Sequence, residues 1–367
     1  MFQPGQMMDR PLLISGIIEH AAAQFGNVEV VARETHGPLF RYTWADCAVR
    51  SRRLANALKA LGLGPGSAVG SIAWNNHRHL EAYFAVSGSG MVMHTCNPRL
   101  QAQQLIYIIN HAQDEVVLFD TTFAPLVKGI AAHCPKVKAW VCLSDGDNTV
   151  AVDGVANVLC YEDLIAAHDD QFDWPDFDER TGAALCYTSG TTGHPKGALL
   201  THGSLTASLS QGRKIGEDWA AWWPSDVSLV AMPLFHIGGT AWVMQTLNGG
   251  GTGVILAQPD VAVIIAAVQR HGITKMFAVP AVLNMILNHP DAAGADFSSM
   301  RVLPYGASPI PLDVLSRSMQ MFPNAQFVQR YGATETSGTI VYLPPEDHDV
   351  AGTPRMAGFR RWRLTGD

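Results

Sequence analysis

Residues 185–197 read Leu185-Cys186-Tyr187-Thr188-Ser189-Gly190-Thr191-Thr192-Gly193-His194-Pro195-Lys196-Gly197. From Thr188 to Gly193 every side chain is absent or is a short hydroxyl group, and Lys196 closes the run. Phosphate oxygens need many short donors close together. Glycine lets backbone N–H groups approach, and serine and threonine add hydroxyls that reorient freely. Lys196 adds a mobile positive charge. The order is not that of a Walker A loop, which needs Gly-Lys-Ser/Thr, because Pro195 precedes Lys196 and Gly197 follows it. A flexible polar linker is the competing reading, and the density of hydroxyls with a terminal lysine argues against it.

Two further places carry chemistry-bearing side chains. Thr334-Glu335 follows Tyr331-Gly332-Ala333. Taken alone, this pair has the form of a helix cap with an acid in the first turn. His236 stands at the end of an apolar run and is followed by Ile237-Gly238-Gly239-Thr240. A single histidine there is more often structural than reactive. The chain shows no Ser-His-Asp or Cys-His constellation, so a protein nucleophile is not expected.

The segment YTSGTTGHPKG resembles the signature loop of the adenylate-forming superfamily, which includes acyl-CoA synthetases, firefly luciferase and peptide-synthetase adenylation domains. Three more segments match in the family's order: Met232-Pro233-Leu234-Phe235-His236, Tyr305-Gly306-Ala307-Ser308 and Tyr331-Gly332-Ala333-Thr334-Glu335. The likeness runs from about residue 13 to about 355. It implies that Thr188, Ser189, Gly190, Thr191, Thr192 and Gly193, with Lys196, cradle the β- and γ-phosphates of ATP. It implies that Thr334 donates to the α-phosphate and that Glu335 helps hold Mg²⁺, a hard cation suited to carboxylate oxygens. Tyr331, with Gly332 and Ala333, would carry the adenine, and Gly306, Ala307 and Ser308 would line its other face. Gly306 would leave room for the ring. His236 would close one end of an acyl pocket and orient the carboxylate, with Trp242 and Met244 as further candidate lining.

The implied reaction is attack of a substrate carboxylate on the α-phosphorus with loss of pyrophosphate, normally followed by transfer to coenzyme A. Such chemistry relies on positioning and charge neutralisation, and Thr188, Lys196, His236 and Glu335 are the expected catalytic set. Amino-acid-activating relatives place an acid near the Phe235 position. Here no Asp or Glu lies between Val230 and Leu247, and burying an ammonium without a counter-charge is costly. An uncharged acyl chain is expected, as in fatty-acyl-CoA synthetases and the enzymes that take short or medium acids such as methylthiopropionate. An aryl-acid or luciferase-like ligase is the variant within the superfamily. A nucleotide- or acyl-binding module without turnover is the alternative outside it, and the loop order speaks against a generic P-loop ATPase or kinase.

Family members continue beyond a TGD motif that binds ribose into a small mobile domain carrying a catalytic lysine. This chain ends at Arg363-Leu364-Thr365-Gly366-Asp367, closer to Glu335 than the family interval. Either Arg361–Asp367 is a strand and turn ahead of the true motif, the preferred reading, or a segment between Pro354 and Ala357 has been lost, and Asp367 receives no role. The C-terminal domain is expected to be absent, leaving ATP binding with impaired adenylation and little thioester formation.

The elements that must hold these residues can be read from apolar periodicity. Short apolar runs at 68–74, 116–120, 139–143, 227–232, 253–257, 275–279, 301–305 and 326–329 alternate with helical stretches at 76–86, 101–111, 240–248, 260–271, 281–288 and 311–321. That alternation predicts an α/β body of two doubly wound, mostly parallel sheets packed together. Residues 13–25 have helical spacing, and Thr43-Trp44-Ala45-Asp46 has the form of a capping box opening a helix that Gly62 stops. The division expected is 1–175, 176–355 and a truncated start of a β region at 356–367. The acidic run Asp169–Glu179 is read as the connecting loop.

With 367 residues, 47% of them hydrophobic, the chain can bury a large core, and its formal charge of −7 argues against a nucleic-acid partner. The six cysteines fall in no metal-like spacing and are read as reduced. No signal peptide or membrane-length apolar run is evident. A cytoplasmic protein is expected, with ATP, a small carboxylic acid and CoA as partners and a homodimer allowed.

Overall fold

Runs such as Ala68-Val69-Gly70-Ser71-Ile72 have no polar face, and as strands they are buried on both sides, the pattern that parallel pairing produces. The computed structural model describes residues 10–33, 38–146, 151–188, 194–210 and 215–348. Its strands are β1 Glu29–Arg33, β2 Leu39–Thr43, β3 Ala68–Ile72, β4 Val92–Cys96, β5 Asp114–Phe119, β6 Ala139–Cys142, β7 Val158–Cys160 and β8 Gly182–Thr188. They continue with β9 Lys196–Thr201, β10 Val227–Val230, β11 Thr252–Leu256, β12 Lys275–Met276, β13 Val302–Gly306, β14 Gln326–Ala333 and β15 Gly338–Leu343. The helices are α1 Ile14–Phe25, α2 Trp44–Ala60, α3 His77–Gly88, α4 Ala102–Ala112, α5 Ala124–Ile130, α6 Tyr161–Ala166, α7 His202–Leu209, α8 Ile237–Asn248, α9 Val261–His271, α10 Pro280–Leu287 and α11 Leu312–Met321.

The strands form two sheets, in the orders β7-β6-β5-β3-β4-β8-β9 and β15-β14-β13-β12-β10-β11-β1-β2. Pairing is parallel except for β8–β9, β1–β2 and β14–β15. The α/β class with two mostly parallel sheets is therefore observed. Sheet membership crosses the division drawn at 175: β8 and β9 complete the first sheet, and β1 pairs with β11 in the second. The β1–β2 hairpin and β4 are not among the runs read from periodicity; their strands mix charged or polar residues with apolar ones, as in Glu29–Arg33, Leu39–Thr43 and Val92–Cys96.

One apolar core joins both sheets. It gathers Val69, Met93 and Ala184 from the first, Val230 and Ile255 from the second, and Ile18, Leu54, Phe84 and Leu247 from the helices between. Trp44 opens α2 inside this core, and its indole N–H donates to the Gly251 carbonyl at 3.1 Å. The capping box is present as read: Thr43 Oγ1 accepts from the Asp46 N–H, and Asp46 Oδ2 accepts from the Thr43 N–H at 2.9 Å. Gly62 follows with φ +83°, the left-handed conformation that glycine tolerates. All six cysteines are buried free thiols. Among the described residues no helix is long and apolar enough to cross a membrane.

Candidate active site

β8 pairs antiparallel with the edge strand β9, and Thr188 and Lys196 face each other at the open end of the pair. The two ends of the loop therefore lie within one strand spacing of each other, about 5 Å. Ser189, Gly190, Thr191, Thr192 and Gly193 lie outside the described residues. Lys196 is exposed. Beside the loop, the Tyr187 hydroxyl lies 2.6 Å from His111 Nδ1, and the His194 ring packs on Tyr107 at 5.1 Å.

The second sheet brings up the other half. β14 ends at Ala333, and Thr334–Thr336 form a single 3₁₀ turn before β15. No α-helix starts there, so the helix-cap reading of Thr334-Glu335 does not apply. The turn is tied locally: the Ala333 N–H donates to Thr336 Oγ1 at 2.9 Å, and Thr336 Oγ1 donates to the Gly338 carbonyl at 2.8 Å. It also meets the first sheet. Thr188 Oγ1 donates to Glu335 Oε1 at 3.4 Å, and Ser337 Oγ donates to Ser204 Oγ at 2.8 Å. The carboxylate of Glu335 is exposed at this meeting point and offers hard oxygen atoms beside Thr188.

Met232–His236 is suspended from the first sheet and α3. The Leu234 N–H donates to Asn75 Oδ1 at 2.7 Å, Asn75 Nδ2 donates to the Met232 carbonyl at 2.9 Å, and the Tyr83 hydroxyl donates to the Leu234 carbonyl at 2.9 Å. His236 N-caps α8 with its ring open to a neighbouring cavity. Partial desolvation and the charge of Arg99 hold its pKa below the ordinary histidine value. Gly239 sits where a Cβ would stand 2.2 Å from the Pro233 carbonyl oxygen, so the chain closes tightly behind this motif.

That cavity, of about 490 Å³, lies between the Met232–His236 motif, the start of α8, and strands β14 and β15. Its walls include Arg99, Met232, His236, Phe277, Val282, Ala307, Arg330, Gly332, Thr334 and Thr339, with no carboxylate among them. The size suits a small organic ligand. Tyr331 is 68% exposed, a ring free to receive another planar group. Ala307 and Ser308 are exposed at the end of β13, and Ala307 holds φ +65°.

Other residues singled out from the sequence stand as follows. Gly306 is buried, and a Cβ there would stand 2.1 Å from the Arg330 carbonyl oxygen. The contact between β13 and β14 therefore demands glycine at this position on its own account. Trp242 and Met244 are buried core residues outside the cavity wall, with the Trp242 indole donating to the Leu229 carbonyl at 3.0 Å. Asp367 and residues 356–367 lie outside the described residues. Arg99, Phe277 and Arg330 were not singled out from sequence. Arg99 sits over the Trp74 and Phe235 rings at 5.6 and 5.9 Å, a placement that no local pattern announces.

Comparison with known proteins agrees with this architecture. A 3-methylmercaptopropionyl-CoA ligase of Ruegeria lacuscaerulensis is 38% identical over 91% of this chain and 61% of its own length. A medium-chain-fatty-acid–CoA ligase of Ectopseudomonas oleovorans is 37% identical over 95% of this chain and 64% of its own length. The chain thus spans about three fifths of the length of these curated relatives. A solved long-chain-fatty-acid-CoA ligase from Archaeoglobus fulgidus superposes with a TM-score of 0.80, covering 95% of this chain and 70% of that one, at 20% identity, a likeness of fold. The model of the AMP-binding enzyme family matches residues 18–359, with the phosphate loop, the Met232–His236 motif and the Tyr331–Glu335 strand end all inside the match, and this chain belongs to that family.

Proposed function

We propose that this chain activates a carboxylic acid, fatty or otherwise aliphatic, with ATP to give an acyl adenylate and pyrophosphate, the acyl group then passing to CoA. The observation that carries the reading is the approach of Thr188 to Glu335 across the two sheet edges, at 3.4 Å. It joins the root of the phosphate loop to a carboxylate suited to a metal–triphosphate.

In this reading Lys196 and the loop's hydroxyl and N–H groups hold the leaving phosphates, and Thr334 orients the α-phosphate. The adenine rests on Tyr331, and His236 directs the carboxylate. Mg²⁺, when bound at Glu335, supplies neutralisation of phosphate charge. The carboxylate is already ionised at neutral pH, so the protein needs no strong base. The residues contribute position and electrostatics. The relatives' names and the absence of acidic groups from the cavity wall favour an acyl tail without an ammonium. Six free thiols suit a reducing compartment such as the cytoplasm.

ATP–pyrophosphate exchange across a panel of carboxylic acids tests the proposal. Exchange that requires an acid is expected. ATP binding with no acid-dependent exchange would indicate a nucleotide-binding module without turnover, and hydrolysis without any acid would point to an ATPase.

A further inference from the structure

Among the described residues, Arg330 is a cation with no carboxylate paired to it. It lies on β14 and is one of the residues that line the cavity described above. Its guanidinium carbon is 5.4 Å from the Trp242 ring centre and 5.5 Å from that of Tyr342, so an aromatic ring lies near it on each side. Such contacts satisfy the faces of the group and leave the in-plane N–H donors unserved. The nearest acceptor, Gln245 Oε1, is 3.5 Å from an Nη, and Nε is buried with no partner.

The nearby carboxylate does not serve it. Asp226 takes two bonds from Arg301, at 2.9 and 3.0 Å, and an ion pair from Lys275 at 3.6 Å. Desolvation without a counter-charge pulls the Arg330 pKa below the usual guanidinium value. A largely desolvated cation in this condition is costly unless an anion joins it. Among the described residues it borders two cavities, a small one of about 20 Å³ shared with Gln245 and Tyr342 and the much larger acyl-site cavity, which alone has room for a ligand.

The chain bounds the spacing. Arg330, Gly332 and Thr334 all line the cavity, the first two on β14 and Thr334 in the 3₁₀ turn beyond it. At no more than ~3.3 Å per residue, Arg330 lies within about 13 Å of Thr334. The reacting end of an acid held near Thr334 and His236 would therefore leave its tail pointing at the guanidinium. We infer that the acid activated here carries a second carboxylate at its far end, which pairs with Arg330. This rests on the adenylate-forming reading and narrows its substrate class to dicarboxylic acids.

Acyl-sulfamoyl adenosines, stable mimics of the acyl adenylate, separate the two ideas when titrated calorimetrically into the intact chain. Two series are compared, with aliphatic tails of about four to ten carbons ending either in methyl or in carboxylate. Binding at least tenfold tighter for carboxylate tails is expected, as one charge-assisted pair supplies. Arg330→Met should remove that preference, and Arg330→Lys should keep part of it. Equal or tighter binding of methyl tails by the unaltered chain overturns the inference while leaving adenylate binding intact. If no mimic of either series binds, the adenylate-forming reading fails and takes the inference with it.

Discussion

Thr188 and Glu335 meet although 147 positions separate them in the chain, and neither is buried. Exposed polar groups of this kind add little to stability, so their cost in substitution should fall on chemistry. Replacing Lys196 by Ala or Glu335 by Gln is expected to lower the acid-dependent exchange rate ~10²–10³-fold, the size found when one preorganised charge-stabilising group is lost. Thermal midpoints should stay within the narrow range typical of surface changes. A drop in rate below tenfold for both variants would remove them from the catalytic set. These residues were legible in sequence because phosphate binding demands a local cluster of small and hydroxylated types. Arg330 was not legible, because its significance lies in what surrounds it: two aromatic rings from distant segments and no acid.

Among the elements, α1, α3 and α7 are fastened by histidines that have to be neutral. His79, buried on α3, bridges Ser71 Oγ and the Trp74 carbonyl, each at 3.1 Å, and burial drives its pKa down to about 4. His202 at the start of α7 accepts the Ile14 N–H of α1 on Nδ1 at 3.2 Å, and its pKa is likewise lowered to about 4 by desolvation. Both folded values lie below the unfolded ~6.5. In the window from about 6.5 down to about 4, the unfolded chain holds more protons. The stability of the folded state is thus complete above the window and declines as pH falls through it. For His79 alone the loss at pH 5 should be roughly 2 kcal/mol, with His202 acting in the same direction. Urea unfolding at pH 5 and pH 7.5 checks this, and equal midpoints would contradict it. The elements themselves were largely visible in advance, because parallel strands are apolar throughout and helices carry their own caps. What periodicity could not reveal was partnership: β1 and β2 precede every strand of the first sheet yet belong to the second.

On the scale of the molecule, a single apolar core spans strands of both sheets and the helices between them. The two sheets are therefore expected to unfold together, as one transition in calorimetry. Trp44→Ala should lower stability by ~3–5 kcal/mol, through lost burial and the cavity it leaves, without splitting that transition. Two resolved transitions would show that the sheets are independent.

The candidate site sits on rims rather than in the core: β9 is the last strand of one sheet and β15 the last of the other, and the 3₁₀ turn that carries Glu335 lies between them. A ligand gripped from both rims would act as a rivet. Its binding energy would be felt as resistance to prying the sheets apart, and amide exchange should slow along β15 and β9 even at positions the ligand never touches. Occupancy could then be followed from the frame of the protein, with no need to watch the reaction.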